Sequence, residues 1–148
     1  MNKLNFIYLH SRAHNYVSRF TAMNGNKNLS DMTLEELWQL FPVVLVPHQP
    51  QWGEWAVHEI GQLQELLSVY TPVINHIGST AIDGIKAKPI VDILIELPEG
   101  YERTKVLDEM GRAGYLCMAI GESRMSFNKG YTVMGYADRV FHVHIHEA

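Results

Sequence analysis

The run "PIVDILIELP", Pro89 to Pro98, constrains this chain more than any other stretch. Two prolines bracket a segment rich in β-branched residues, which reads as a strand over Ile90–Leu97. Side chains alternate along a strand, so Val91, Ile93, Ile95 and Leu97 share one face and Asp92, Leu94 and Glu96 the other. The first set packs a core. The second places a carboxylate, Asp92, inside an otherwise apolar run, and a buried acid needs a partner or a use.

The end of the chain, "FHVHIHEA", has the same design. Phe141, Val143 and Ile145 take one face; His142, His144 and His146 take the other. If the two strands are neighbours, Asp92 and the histidines converge. Alternate strand residues sit about 6.6 Å apart, so adjacent members can share one ion. His142 and His146, about 13 Å apart, cannot easily do so. The expected set is therefore Asp92, His142 and His144, with His146 outside. A solvated edge strand would explain the histidine alternation equally well.

A Gly-Ser turn, Gly78-Ser79-Thr80, lies upstream of the aspartate strand. It follows a strand expected at Val73–Ile77 and precedes one helical turn expected at Ala81–Ile85. Backbone N–H groups at such a turn suit a phosphate, and the Ser79 and Thr80 hydroxyls can add hydrogen bonds. Lys86, Lys88, Arg124, Lys129 and Arg139 lie in or near these segments. Each alone reads as a solvated charge. Together they could surround an anion such as a nucleoside triphosphate.

The remaining pattern supplies the scaffold. "TLEE" is a capping box on Thr33 and Glu36, opening a helix over 34–41 that stops before Pro42. Val43–Val46 reads as a short strand. Trp52, Trp55, Ile60, Leu63 and Leu67 recur at helical spacing within a helix expected over 51–70. A helix over 101–113 ends at Gly114, a natural C′ residue. Strands follow at 115–120, 124–128, 131–136 and 140–146, with Lys129-Gly130 turning one hairpin. Residues 1–23 read as a weakly amphipathic helix, with Leu4, Ile7, Tyr8 and Leu9 on one side. The order implies an α/β or α+β fold with a mixed sheet of about four to six strands flanked by helices.

Composition narrows the function. The chain has 148 residues, 47% hydrophobic, enough for one domain with a core. Net charge is −4 with only 12 Lys and Arg, which argues against a duplex nucleic-acid partner. A single cysteine, Cys117, and no apolar run near membrane-spanning length point to the cytoplasm, with no membrane association.

Four segments in order resemble one family. "HIGSTAIDGIKAKPIVDI" is similar to the GrpB signature H-I-G-S-T-S-V-P-G-L-x-x-K-P-I-I-D-I. "RMSFNKG" resembles its R-x-x-F-x-K-G, "RVFHVHIHE" its R-T-H-H-L-H-V-V-E, and "VPHQPQW" its V-x-Y-x-P-x-W. The resemblance covers about Met32 to Glu147 and implies a domain over 32–148 preceded by an extension over 1–31. It implies a nucleotidyltransferase-like fold of the DNA polymerase β type. That superfamily uses a Gly-Ser turn for a triphosphate, then a strand reading D-h-[DE]-h, then a third acid. The match implies Gly78 and Ser79 for the turn and Asp92 for the first, catalytic acid. Leu94 stands at the second acid, and His142 and His144 stand near the third. An Asp–His set suits zinc, manganese or iron better than a two-magnesium site.

The expectations are a nucleotide or phosphorylated small molecule, a divalent cation (magnesium, manganese or zinc) on Asp92, His142 and His144, and phosphate on Gly78, Ser79, Thr80, Lys88, Arg124 and Lys129. Nucleotidyl transfer is the first reading. A non-catalytic nucleotide sensor or adaptor and a transition-metal phosphoesterase are the alternatives. The family usually continues with a C-terminal helical tail; without one, either the cleft would be left open or the edge strand would be left unpaired and prone to pair in a homodimer.

Overall fold

The computed structural model describes residues 28–148; the helix expected over 1–23 lies outside them. Three helices are described: α1 (Leu34–Leu40), α2 (Gln51–Leu66) and α3 (Arg103–Arg112). Five strands accompany them: β1 (Val73–Ile77), β2 (Val91–Leu97), β3 (Leu116–Ile120), β4 (Arg124–Thr132) and β5 (Gly135–Glu147). They form one mixed sheet in the order β1-β2-β5-β4-β3. The β2–β5 pair is parallel and the others are antiparallel. This is an α+β fold with a mixed five-stranded sheet, compatible with the nucleotidyltransferase-like architecture.

The strand alternation holds. Val91, Ile93, Ile95 and Leu97 are fully buried, as are Val143 and Ile145 on β5. They form one core with Trp52, Ala56 and Leu63 of α2 and Val106 and Met110 of α3. The buried stripe of α2 runs Trp52, Ala56, Glu59, Leu63, a single helical face. Both helices therefore cover one side of the sheet. On the opposite side α1 packs through Leu37 and Phe41 against Met118, Leu116 and Tyr131, at the β3–β4 end. Next to β2 that second face is only partly covered.

Local signals account for the ends. Thr33 Oγ1 accepts from Glu36 N–H, and Glu36 accepts from Thr33 N–H at 2.7 Å, completing the capping box. After α3, Gly114 N–H donates to Gly111 O and Tyr115 N–H to Met110 O, a Schellman closure with Gly114 at φ +90°.

Four expectations are corrected. Residues 43–46 form no strand: only Val46 pairs, with Ala87, while Val43, Val44 and Leu45 are exposed. Helix α2 stops at Leu66; a 3-10 turn, Ser68–Tyr70, follows it, and Thr71 turns left-handed at φ 48°. The helical turn after Gly78 is a 3-10 turn at Ser79–Ala81, not one at 81–85.

Finally, Lys129-Gly130 does not turn a hairpin. The chain continues through it as β4 and reverses at Val133-Met134. Gly130 is a bulge. Lys129 pairs with Phe141 and Tyr131 with Tyr136, so residues 137–140 face Gly130 alone. At Gly130 φ is +95°, and a Cβ would stand 2.4 Å from Arg139 O. Its backbone freedom serves close strand approach rather than a turn. The true reversal lacks Asn-Gly chemistry. Instead Thr132 Oγ1 accepts from Met134 N–H at 3.1 Å and donates to Gly135 O at 2.8 Å.

Candidate functional site

The pairing register builds three cross-strand rows on the half-open face. Ile77, Asp92, His142 and Asn128 form the first. Asn75, Leu94, His144 and Ser126 form the second, and Val73, Glu96, His146 and Arg124 the third. Asp92 and both histidines converge because β2 and β5 run side by side in parallel. His142 Nδ1 is 3.5 Å and His144 Nε2 3.9 Å from Asp92 Oδ1. The second nitrogens are held from behind. Tyr131 Oη is 2.7 Å from His142 Nε2, and Ser126 Oγ is 3.3 Å from His144 Nδ1. The Tyr131 ring also stacks on His142 and packs against Phe41 and Tyr136, an aromatic wall beside the cluster.

The Gly-Ser turn closes the other side. Gly78 has φ +75° and ψ −169°, a region that glycine alone populates readily. A Cβ there would stand 2.6 Å from Asp92 Oδ2. The absence of a side chain lets the carboxylate lie on the turn. Ser79 is exposed. Thr80 is buried, and its hydroxyl meets His76 Nε2 at 2.9 Å, which pins the turn to β1.

Electrostatics favour an ionised Asp92. Burial pushes its carboxyl up, but the attraction of the nearby His142 and His144 imidazoles outweighs this and holds the pKa at about 2. Burial lowers the pKa of His76 against the pull of Asp92.

The expected cationic ring does not assemble. Lys129 lies on the opposite, helix-covered face. Its Nζ is 2.6 Å from Glu59 Oε1 and 4.7 Å from the Tyr115 ring centre. The physical reason is the strand alternation: Asn128 faces the histidines, so Lys129 must face α2. Arg124 shares the site face but sits in the third row, two rows from Asp92 and about 13 Å along the strand. Lys88 is exposed on the connection into β2. A cleft of about 430 Å³ lies on the other flank of the turn, lined by His48, Gly53, His76, Thr80 and Asp83; it includes neither Asp92 nor the sheet histidines.

The donor types suit a transition cation. Two ligands about 2.1 Å from a tetrahedral ion stand about 3.4 Å apart, close to the Asp92–His142 spacing and shorter than the Asp92–His144 spacing. Among the described residues no three His, Cys, Asp or Glu side chains already surround a point that would seat an ion. Binding one would require this cluster to close up. Sequence reasoning missed Tyr131 and Ser126. Their signal was the β4 alternation, hidden while the hairpin was placed at Lys129-Gly130.

The fold and this face define an α+β domain with a carboxylate and two imidazoles beside a Gly-Ser turn. The GrpB protein family profile matches residues 42–148, and the chain belongs to that family. The UPF0157 protein PA4798 of Pseudomonas aeruginosa is 31% identical over 105 residues, 70% of this chain and 43% of that protein. UPF0157 protein SCO7215 of Streptomyces coelicolor is 30% identical over 129 residues, 86% of this chain and 65% of that protein. The crystal structure of conserved protein GrpB from Enterococcus faecalis superposes with a TM-score of 0.60 at 28% identity, covering 70% of this chain and 61% of that one. The chain thus spans less than two thirds of each of these relatives. No helix among the described residues is long and apolar enough to cross a membrane.

Proposed function

We propose that this chain binds a nucleotide or another phosphorylated small molecule together with a divalent cation, as a nucleotidyltransferase-like protein. The observation that carries the reading is the meeting of Asp92, His142 and His144 against the bare Gly78 turn. Asp92, ionised at neutral pH, and the two imidazoles would hold the cation. Gly78 and Ser79 would face the phosphate, with Lys88 exposed on the connection between that turn and Asp92 and Arg124 able to meet only an extended ligand. A bound cation polarises a phosphoryl group or activates an attacking hydroxyl. With Leu94 where a second acid would stand, one carboxylate and two imidazoles favour zinc or manganese over a magnesium pair.

Leu94 also supports a second reading, a nucleotide sensor without turnover. Protein purified without a metal-affinity step, titrated calorimetrically with zinc, manganese and magnesium and then each nucleoside triphosphate, tests both. Cation-dependent binding that weakens at least tenfold in Asp92→Asn is expected. Pyrophosphate release separates transferase from sensor. Absence of any binding, or equal binding by Asp92→Asn, sinks the site.

A further inference from the structure

Each imidazole of the Asp92 cluster has its far nitrogen on a hydroxyl. Tyr131 serves Nε2 of His142, and Ser126 serves Nδ1 of His144. The nitrogens left over, Nδ1 of His142 and Nε2 of His144, are those nearest Asp92 Oδ1. Five groups therefore stand in one row, hydroxyl, imidazole, carboxylate, imidazole, hydroxyl, in which the imidazole–carboxylate steps are 3.5 and 3.9 Å.

The donor inventory orders this row. An ionised carboxylate only accepts. A neutral imidazole has one N–H and one lone pair. A lone pair turned to Asp92 would set two acceptors against each other, so both rings present N–H to the carboxylate. Their lone pairs then face the hydroxyls, which donate. The two rings must hold opposite tautomers because β4 approaches them through different nitrogens.

We propose that Asp92 holds His142 as the Nδ1–H tautomer and His144 as the Nε2–H tautomer, and that Tyr131 and Ser126 are positioning residues that steady the rings in either state and let both reverse when a cation takes the Asp92-facing nitrogens. The second half rests on the cation reading above; the first half does not. Reversal needs a partner that can both donate and accept. A hydroxyl does both, whereas the carboxylates and backbone carbonyls that commonly back metal-ligating histidines only accept. In the reversal each ring loses a proton at one nitrogen and gains one at the other, so the ring's proton count is unchanged. The hydroxyl rotates from donor to acceptor, and its hydrogen turns to water. The stacked Tyr131 ring, 5.8 Å from His142 with 17° between planes, fixes the imidazole orientation during the exchange.

The test is a two-bond ¹⁵N–¹H correlation spectrum of ¹⁵N-histidine protein, metal-free, about two pH units above the ordinary imidazole pKa of about 6.5. Opposite tautomers at His142 and His144 are expected. Asp92→Asn, whose amide can either donate or accept, should turn both rings into tautomer mixtures. Tyr131→Phe and Ser126→Ala, which leave the carboxylate in place, should each keep the metal-free tautomers. The same tautomer on both rings, or unchanged tautomers in folded Asp92→Asn protein, overturns the first half. With zinc added, both signals should invert, and Tyr131→Phe should weaken zinc about tenfold. Zinc binding without inversion overturns the second half. Opposite tautomers in a protein that takes no zinc support the first half and defeat the cation reading.

Discussion

The two faces of this sheet each hold a carboxylate with basic partners, and they use it differently. On the helix-covered face Glu59 is 3% exposed, salt-bridged to Lys129 at 2.6 Å and hydrogen-bonded by the Tyr115 hydroxyl. On the other face Asp92 is half-buried and meets two imidazoles at longer range. Lys129 and Tyr115 both engage Oε1 of Glu59 and tie α2 to the sheet, as a strut. Asp92 keeps one oxygen over the Gly78 turn and room for another group. Polarity inside a sheet is therefore no guide to function by itself; what separates strut from site is whether the protein has already satisfied the charge.

The sharpest way to break the comparison is Glu59→Gln. It leaves Lys129 and Tyr115 poorly matched and should cost about 3 kcal/mol in urea unfolding, the low end for a broken buried pair because Lys129 is partly exposed. Replacing both partners with methionine should recover part of that loss. A Glu59 variant as stable as the native chain would mean that the strut does not exist.

Gly78→Ala comes next. It places a side chain in a glycine-only region and against Asp92 Oδ2, which should cost about 2 kcal/mol. Because the new Cβ displaces the carboxylate, ligand binding should fall more than stability does. Equal losses in calorimetry and unfolding would dissolve the site into mere structure.

The smallest effect is that of Asp92 on acid stability. Its carboxyl is held at about 2, below its ordinary value of 3.8. The folded state therefore gains stability above that ordinary value and loses it as pH falls from there towards 2. Asp92→Asn should flatten the stability profile in that window and change neutral-pH stability by less than about 1 kcal/mol. An unchanged acid profile in Asp92→Asn would show that the histidines do not hold the charge.

Much of the fold was legible where the signal is local. The capping box at Thr33, the Gly114 closure and the period-two alternation of Val91–Leu97 each depend on neighbours within a few residues, and each appears as expected. The failures are places where a local signal has two physical readings. Gly130 carries positive φ, as a hairpin glycine would, yet β5 approaches it too closely for any side chain. Val43, Val44 and Leu45 are apolar and exposed, and no strand among the described residues pairs with them. Lys129 and Arg124 are cations near the site in sequence; the alternation of β4 sends one to the far face, and the register carries the other to a distant row.

The sequence alone determined that Asp92 and the histidines share the non-core sides of their strands, because side-chain direction on a strand follows from backbone geometry with period two. Only the tertiary structure decided that β2 and β5 are parallel neighbours with Asp92 opposite His142. Strand pairing is a long-range choice, fixed by which apolar faces meet the two helices, and no short stretch of residues encodes it. The same pairing put Tyr131 and Ser126 behind the imidazoles and Lys129 behind the sheet.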